Sequence, residues 1–165
     1  MSTRRIVITT VFVTIAAIAV LALGVRLLLT LAASRSASSD QTDDYEDWLR
    51  SAVRPAVIYD ISPAIVQVSD CVDRKDATCL CNRILPNRSN LLVDAQHYDG
   101  RVPGQLRSTH DAVKNVLSKY QRLRETVQTT CKNSSLVDFP ALDKEVIRCL
   151  DARNAAVEKL KPFQP

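Results

Sequence analysis

The sequence predicts an all-α protein: an N-terminal transmembrane helix followed by an exported up-down bundle of three long helices, with room for a fourth short one, tied by disulfides. Three observations predict it. Ile6 to Val25 runs for twenty residues without a charge. Beyond residue 40 the apolar residues recur at spacings of three and four. The chain of 165 residues has only three glycines, and none of it alternates apolar and polar residues with the turn signals of a β-protein.

Residues 1–33 read as a membrane anchor. At about 1.5 Å per residue, residues 6–25 cover roughly 30 Å, the thickness of a bilayer's hydrocarbon core. A cleaved signal peptide is the competing reading, with Ala22-Leu23-Gly24 as a cleavage site, but its apolar region would be about 7–15 residues. The run is longer than that, and LLLTLAA continues it past Arg26. Arg4, Arg5 and the amino terminus precede the span, and an acidic run, QTDDYEDW, lies beyond it. The positive-inside rule therefore places the N-terminus in the cytoplasm and residues 40–165 outside. Either reading of the segment exports the remainder.

Residues 34–39, SRSASS, have nothing apolar to bury and read as a linker. In the bundle, residues 40–165, the first helix carries Tyr45, Trp48, Leu49, Ala52, Val53 and Ala56 on one face. Pro55 should kink it, and Ser62-Pro63 reads as a cap with a fresh first turn. Ile61, Ile65, Val68 and Val72 then continue the apolar face, so a broken helix is expected. Residues 73–104 are the irregular, cysteine-bearing part, in which NLLVDAQHY forms a short helix. Leu106, Thr109, Val113, Val116, Tyr120, Leu123, Val127 and Thr130 make a heptad seam on a long helix. After KNSS, Asp138, Phe139 and Pro140 begin a last helix, whose seam is Leu142, Val146, Cys149, Arg153, Ala156 and Leu160. The short connection makes these two helices antiparallel neighbours. Residues 40–60 carry a net −4 and residues 105–132 a net +4, which suits a first helix packed beside the long basic one.

Cys71, Cys79, Cys81, Cys131 and Cys149 are the chemistry-bearing residues. Outside the cytoplasm, cysteines form structural disulfides. Cys79 and Cys81 are too close in sequence to bridge each other without strain. Cys149 falls about 15 Å below the turn that brings Cys131 to its helix end. That geometry favours two bridges from the 71–81 cluster to Cys131 and Cys149. One thiol is left over, either buried, with Cys149 the natural candidate, or linking two chains. A metal set of Cys71, Cys79 and Cys81 with His97 or His110 is disfavoured, because C-x7-C-x-C is not a common zinc spacing, and a redox centre is disfavoured too, because neither a C-x-x-C pair nor a βαβ pattern is present. The two histidines read as solvated surface groups. Asn87-Arg88-Ser89 and Asn133-Ser134-Ser135 match the glycosylation pattern.

No catalytic signature accompanies the serines, aspartates and histidines, so the expectation is a non-enzyme without a cofactor. Three of the four net positive charges lie at Arg4, Arg5 and Arg26, which argues against nucleic acid as a partner. The expected partners are the lipid bilayer, through residues 6–25, and a protein or envelope component met through a basic face at Lys114, Lys119, Arg122 and Arg124, or through residues 73–104. The alternative is a structural or envelope-tethering subunit that dimerises through the heptad seam like a coiled coil.

Overall fold

The computed structural model describes residues 42–132 and 137–164. The expected anchor, the linker and Asn133 lie outside the described residues. Those residues are helical without a strand, and no helix among them is long and apolar enough to cross a membrane.

Helix α1 covers residues 42–73 and is continuous, contrary to the expected break. Trp48, Arg54, Pro55, Ile61 and Ser62 all keep right-handed helical torsions. The prolines are accommodated by two wider π-turns, Leu49–Val53 and Ala56–Ile61, each ahead of a proline. Their closing bonds run five residues back, from Arg54 N–H to the Leu49 carbonyl and from Ser62 N–H to the Val57 carbonyl. A wider turn relaxes the clash between a proline ring and the carbonyl four residues before it. Ser62 does not cap a new helix; its hydroxyl donates to the Val57 carbonyl at 2.6 Å.

The π-turns also answer a demand of the sequence. Tyr45, Leu49, Val53, Val57, Ile61 and Ile65 recur strictly every four residues, and all six are fully buried. At about 100° per residue, five such steps overshoot five full turns by about 200°, which would carry the stripe to the opposite side of a regular α-helix. Each π-turn takes up one surplus residue, about 100°, so two of them return the stripe to one face.

A left-handed Lys75 (φ 51°) ends α1. Asp76 N–H reaches the Cys71 carbonyl at 3.0 Å and Lys75 N–H the Val72 carbonyl at 2.9 Å. These are the two bonds of a Schellman stop, built here on a lysine where glycine is usual. Two short helices follow, α2 (Ala77–Cys81) and α3 (Ser89–Tyr98), then the long α4 (Arg107–Lys132) and α5 (Phe139–Leu160). Asp138 caps α5 by accepting from Ala141 N–H at 3.0 Å, with Pro140 in its first turn.

The arrangement is up-down-up-down if α1 is taken as rising. Glu46, Leu106 and Phe163 line one cleft, and Val72 and Phe139 line another at the opposite end, so α1 and α4 rise while α5 descends. Helix α3 descends along α4. Ahead of its start, the Pro86 carbonyl accepts from Tyr120 Oη at 2.9 Å and the Leu85 carbonyl from Arg124 Nε at 3.2 Å. Just past its end, Asp99 meets His110 and Lys114.

The heptad seam of α4 faces inward: Thr109, Val113, Val116, Tyr120, Leu123 and Val127 are buried within the chain. Each fully buried aliphatic or aromatic side chain there contributes about 1.5–3 kcal/mol. The seam is therefore already covered, and a dimer could use it only if the bundle opened. On α5 the core position falls to Ala152, and Arg153 lies half-buried beside it. The opposed charges of α1 and α4 form no ion pair with each other among the described residues. Instead Asp60 of α1 pairs with Arg88, while Lys114 pairs with Asp99 and Arg122 with Glu145.

Candidate functional site

The rising end of the bundle gathers four of the five cysteines. The Schellman stop turns the chain back at Lys75, and Asp76 then caps α2 by accepting from Cys79 N–H at 2.8 Å. This tight return brings Cys79 over Cys71, and the two are bridged with their Cα atoms 5.5 Å apart. Cys81 points the other way and is bridged to Cys131 at the end of α4, Cα to Cα 5.4 Å. One bridge thus closes within the cluster and only one leaves it. The expected pair of bridges to Cys131 and Cys149 is not formed, because the turn at 74–76 makes Cys79 the nearest partner of Cys71.

Cys149 is free and fully buried. Burial pushes its thiol up to about 12, and the Glu145 carboxylate adds to the effect. It is a core side chain with no reactive thiolate at neutral pH.

Two guanidinium groups converge on one sulfur of this end. Arg74 Nη2 donates to Cys79 Sγ at 3.6 Å and Arg83 Nη2 at 3.8 Å. Beside them opens a cleft of about 320 Å³ lined by Val72, Asp73, Lys75, Phe139, Pro140 and Asp143. Its apolar floor comes from the end of α1 and the start of α5, and its rim is charged.

At the other end a buried polar chain replaces the surface histidine expected at position 110. His110 is buried. Its Nε2 donates to Asp99 Oδ1 at 2.8 Å, and in the neutral ring its Nδ1 accepts from Tyr45 Oη at 2.8 Å. Lys114 Nζ donates to both Asp99 oxygens at 2.6 Å. The bonds from Lys114 first, and then from His110, hold the Asp99 carboxyl below its ordinary range. Burial pushes the Tyr45 phenol well above its ordinary value, and neighbouring Tyr98 adds to this. Tyr45, Trp48 and Tyr98 pack ring to ring with centroids 5.0–5.5 Å apart. Tyr45 is fully buried, so the chain of hydrogen bonds serves as internal support for the bundle. His97 is exposed, as expected.

The four basic residues expected to form one face are not together. Lys114 is bound to Asp99 below α3, and Arg124 lies half-buried against the Leu85 carbonyl. Arg122 turns to Glu145 of α5, and Lys119 is half-buried near Cys149. They flank the buried stripe of α4 on both sides. The metal set also fails to assemble: Cys71, Cys79 and Cys81 are all in disulfides, and His110 lies at the far end. Among the described residues no group of three histidine, cysteine or acidic side chains is placed to hold an ion. Asn87 is exposed, and its Oδ1 accepts from Ser89 N–H at 3.2 Å.

No protein-family model, curated protein or solved structure matches this chain.

Proposed function

We propose that the protein is a non-catalytic, single-pass membrane protein that presents a disulfide-locked helical bundle outside the cytoplasm for contact with another macromolecule. The observation that carries this reading is the pairing of four cysteines at one end of the bundle, Cys71 with Cys79 and Cys81 with Cys131. Such bonds persist in oxidising compartments and are rare in the cytosol. The uncharged run of residues 6–25 supports the anchor, and the basic residues before it support an N-terminus in the cytoplasm. The contact surface is the cysteine end with its charged cleft, rather than a basic face of α4, because the four basic residues do not share one side.

Thiol counting in intact membranes tests the topology. A membrane-impermeant maleimide should label nothing before reduction and Cys79, Cys81 and Cys131 after it, with the fully buried Cys71 and Cys149 reacting only on denaturation. Labelling of Cys79, Cys81 and Cys131 without reduction, and only once the membrane is broken, would overturn the reading.

A further inference from the structure

We propose that Cys79 is a thiol–disulfide exchange site for anionic thiols, through which the Cys71–Cys79 bridge opens while Cys81–Cys131 stays closed. The proposal rests on the cysteine pairing and not on the membrane topology. Cys71 is fully buried, whereas Cys79 is only half-buried, so an incoming thiolate reaches this bridge at Cys79 Sγ. Access alone does not single it out, since Cys81 is more exposed than Cys79. What distinguishes Cys79 is the pair of guanidinium donors at its sulfur, Arg74 at 3.6 Å and Arg83 at 3.8 Å. Among the described residues no other bridged sulfur accepts from a side-chain cation.

The surrounding charges are balanced at longer range. Asp70, Asp73 and Asp76 offset Arg74, Lys75 and Arg83, and the Asp76 carboxylate sits on the Cys79 amide. The attraction is therefore local to the sulfur. Two unit charges about 4 Å apart in water change a rate by about fivefold.

The chemistry balances with two equivalents of thiol. A thiolate attacks Cys79 Sγ, forming a mixed disulfide and breaking the Cys71–Cys79 bond, and Cys71 leaves as a thiolate that takes a proton. A second thiolate attacks the outer sulfur of the mixed disulfide. Cys79 then leaves as a thiolate beside Arg74 and Arg83, which lower the cost of that charge. The external thiol is oxidised to its disulfide, and the bridge is reduced to two cysteines.

The fold is built to survive this opening. Helix α2 remains held by Cys81–Cys131 and by Leu80, which is fully buried. The bridge ties the last turn of α1 and the stop after it, where Val72, Asp73 and Lys75 supply half the lining of the charged cleft. Exchange at Cys79 therefore changes one wall of the surface proposed for contact.

The test uses the oxidised full chain in detergent with excess 2-mercaptoethanesulfonate or cysteamine. Each rate is divided by that thiol's rate on a small reference disulfide, and adducts are mapped by mass spectrometry. The expected result is a first adduct on Cys79 and at least about a fivefold preference for the anionic thiol at low salt. That preference should disappear at 1 M salt and in R74Q/R83Q, and be kept in R74K/R83K. A first adduct on Cys81 or Cys131, or a low-salt preference near one, would overturn the proposal. The salt series on the unaltered chain decides the same question if a variant fails to fold.

Discussion

The two π-turns of α1 make a prediction that separates phase from length. Deleting a residue inside a π-turn should turn it into an ordinary α-turn and leave every later residue in register. Deleting a residue from a regular turn should rotate everything beyond it by about 100°. Ser51 is exposed and lies within Leu49–Val53; its hydroxyl donates to the Asp47 carbonyl at 2.6 Å, its one side-chain hydrogen bond among the described residues. Its removal should be made together with Pro55→Ala, so that no proline clash is restored. Relative to Pro55→Ala alone, the loss should be about 1 kcal/mol or less, the worth of one exposed hydrogen bond. Gln67, in the regular part of α1, is also exposed. Deleting it takes Val68, Cys71 and Val72 off the core face, and these are buried at 0%, 0% and 4%. At about 1.5–3 kcal/mol for each side chain, the loss is about 5 kcal/mol or more, comparable with the whole stability of a small domain. Urea unfolding of the full chain in detergent, followed by circular dichroism, measures both. Equal losses for the two deletions would refute the phase argument.

Lys75→Gly should raise stability by up to about 1 kcal/mol in the same assay, because glycine occupies the left-handed stop without the strain of a side chain. Replacing Cys81 and Cys131 together by alanine releases a 50-residue loop and should cost about 4 kcal/mol; a loss below 1 kcal/mol would show that the bridge does little for the fold. Tyr45→Phe leaves His110 Nδ1 buried without its partner and should cost about 1–3 kcal/mol, read by urea unfolding at pH 8. Alkaline pH should unfold the protein with a defined onset. Cys149 and Tyr120 are both raised to about 12, from ordinary values of 9.0 and 10.0. A raised value means that their contribution is complete below the unfolded value and is lost as pH rises towards the folded one. Stability should therefore hold up to about pH 9, then fall by about 1.4 kcal/mol per pH unit, and more steeply above 10. Cys149→Ala should remove the part of the slope between 9 and 10.

The long elements were readable because burial imposes a period. The α4 seam from Thr109 to Val127 faces inward as its spacing required, and Asp138 and Pro140 start α5 where their capping chemistry placed them. On α1 the prolines suggested a break, yet the strict four-residue recurrence from Tyr45 to Ile65 already contained the correction, since only a wider winding keeps it on one face. Cysteine pairing was not readable, because it depends on one left-handed residue, Lys75, that directs Cys79 back onto Cys71. The same holds for His110. Its period places it beside the seam, but its partners Tyr45 and Asp99 lie 65 and 11 residues away and meet it only through the packing of three helices. The basic residues of α4 shared a charge sign without sharing a direction, and net charge carries no angular information.

The Cys81–Cys131 bridge also governs how the molecule would respond to being pulled. A force applied between residues 42 and 164 passes from α1 through α2 and across the bridge into the tip of α4. It bypasses the α3 crossover and the whole of α4 below the tip. The sequence separation of 50 between the bridged cysteines cannot pay out as slack, and at about 3.4 Å per residue it withholds roughly 170 Å of contour length. The bundle is thus a short tether under load while oxidised and a much longer one once that single bond is cut.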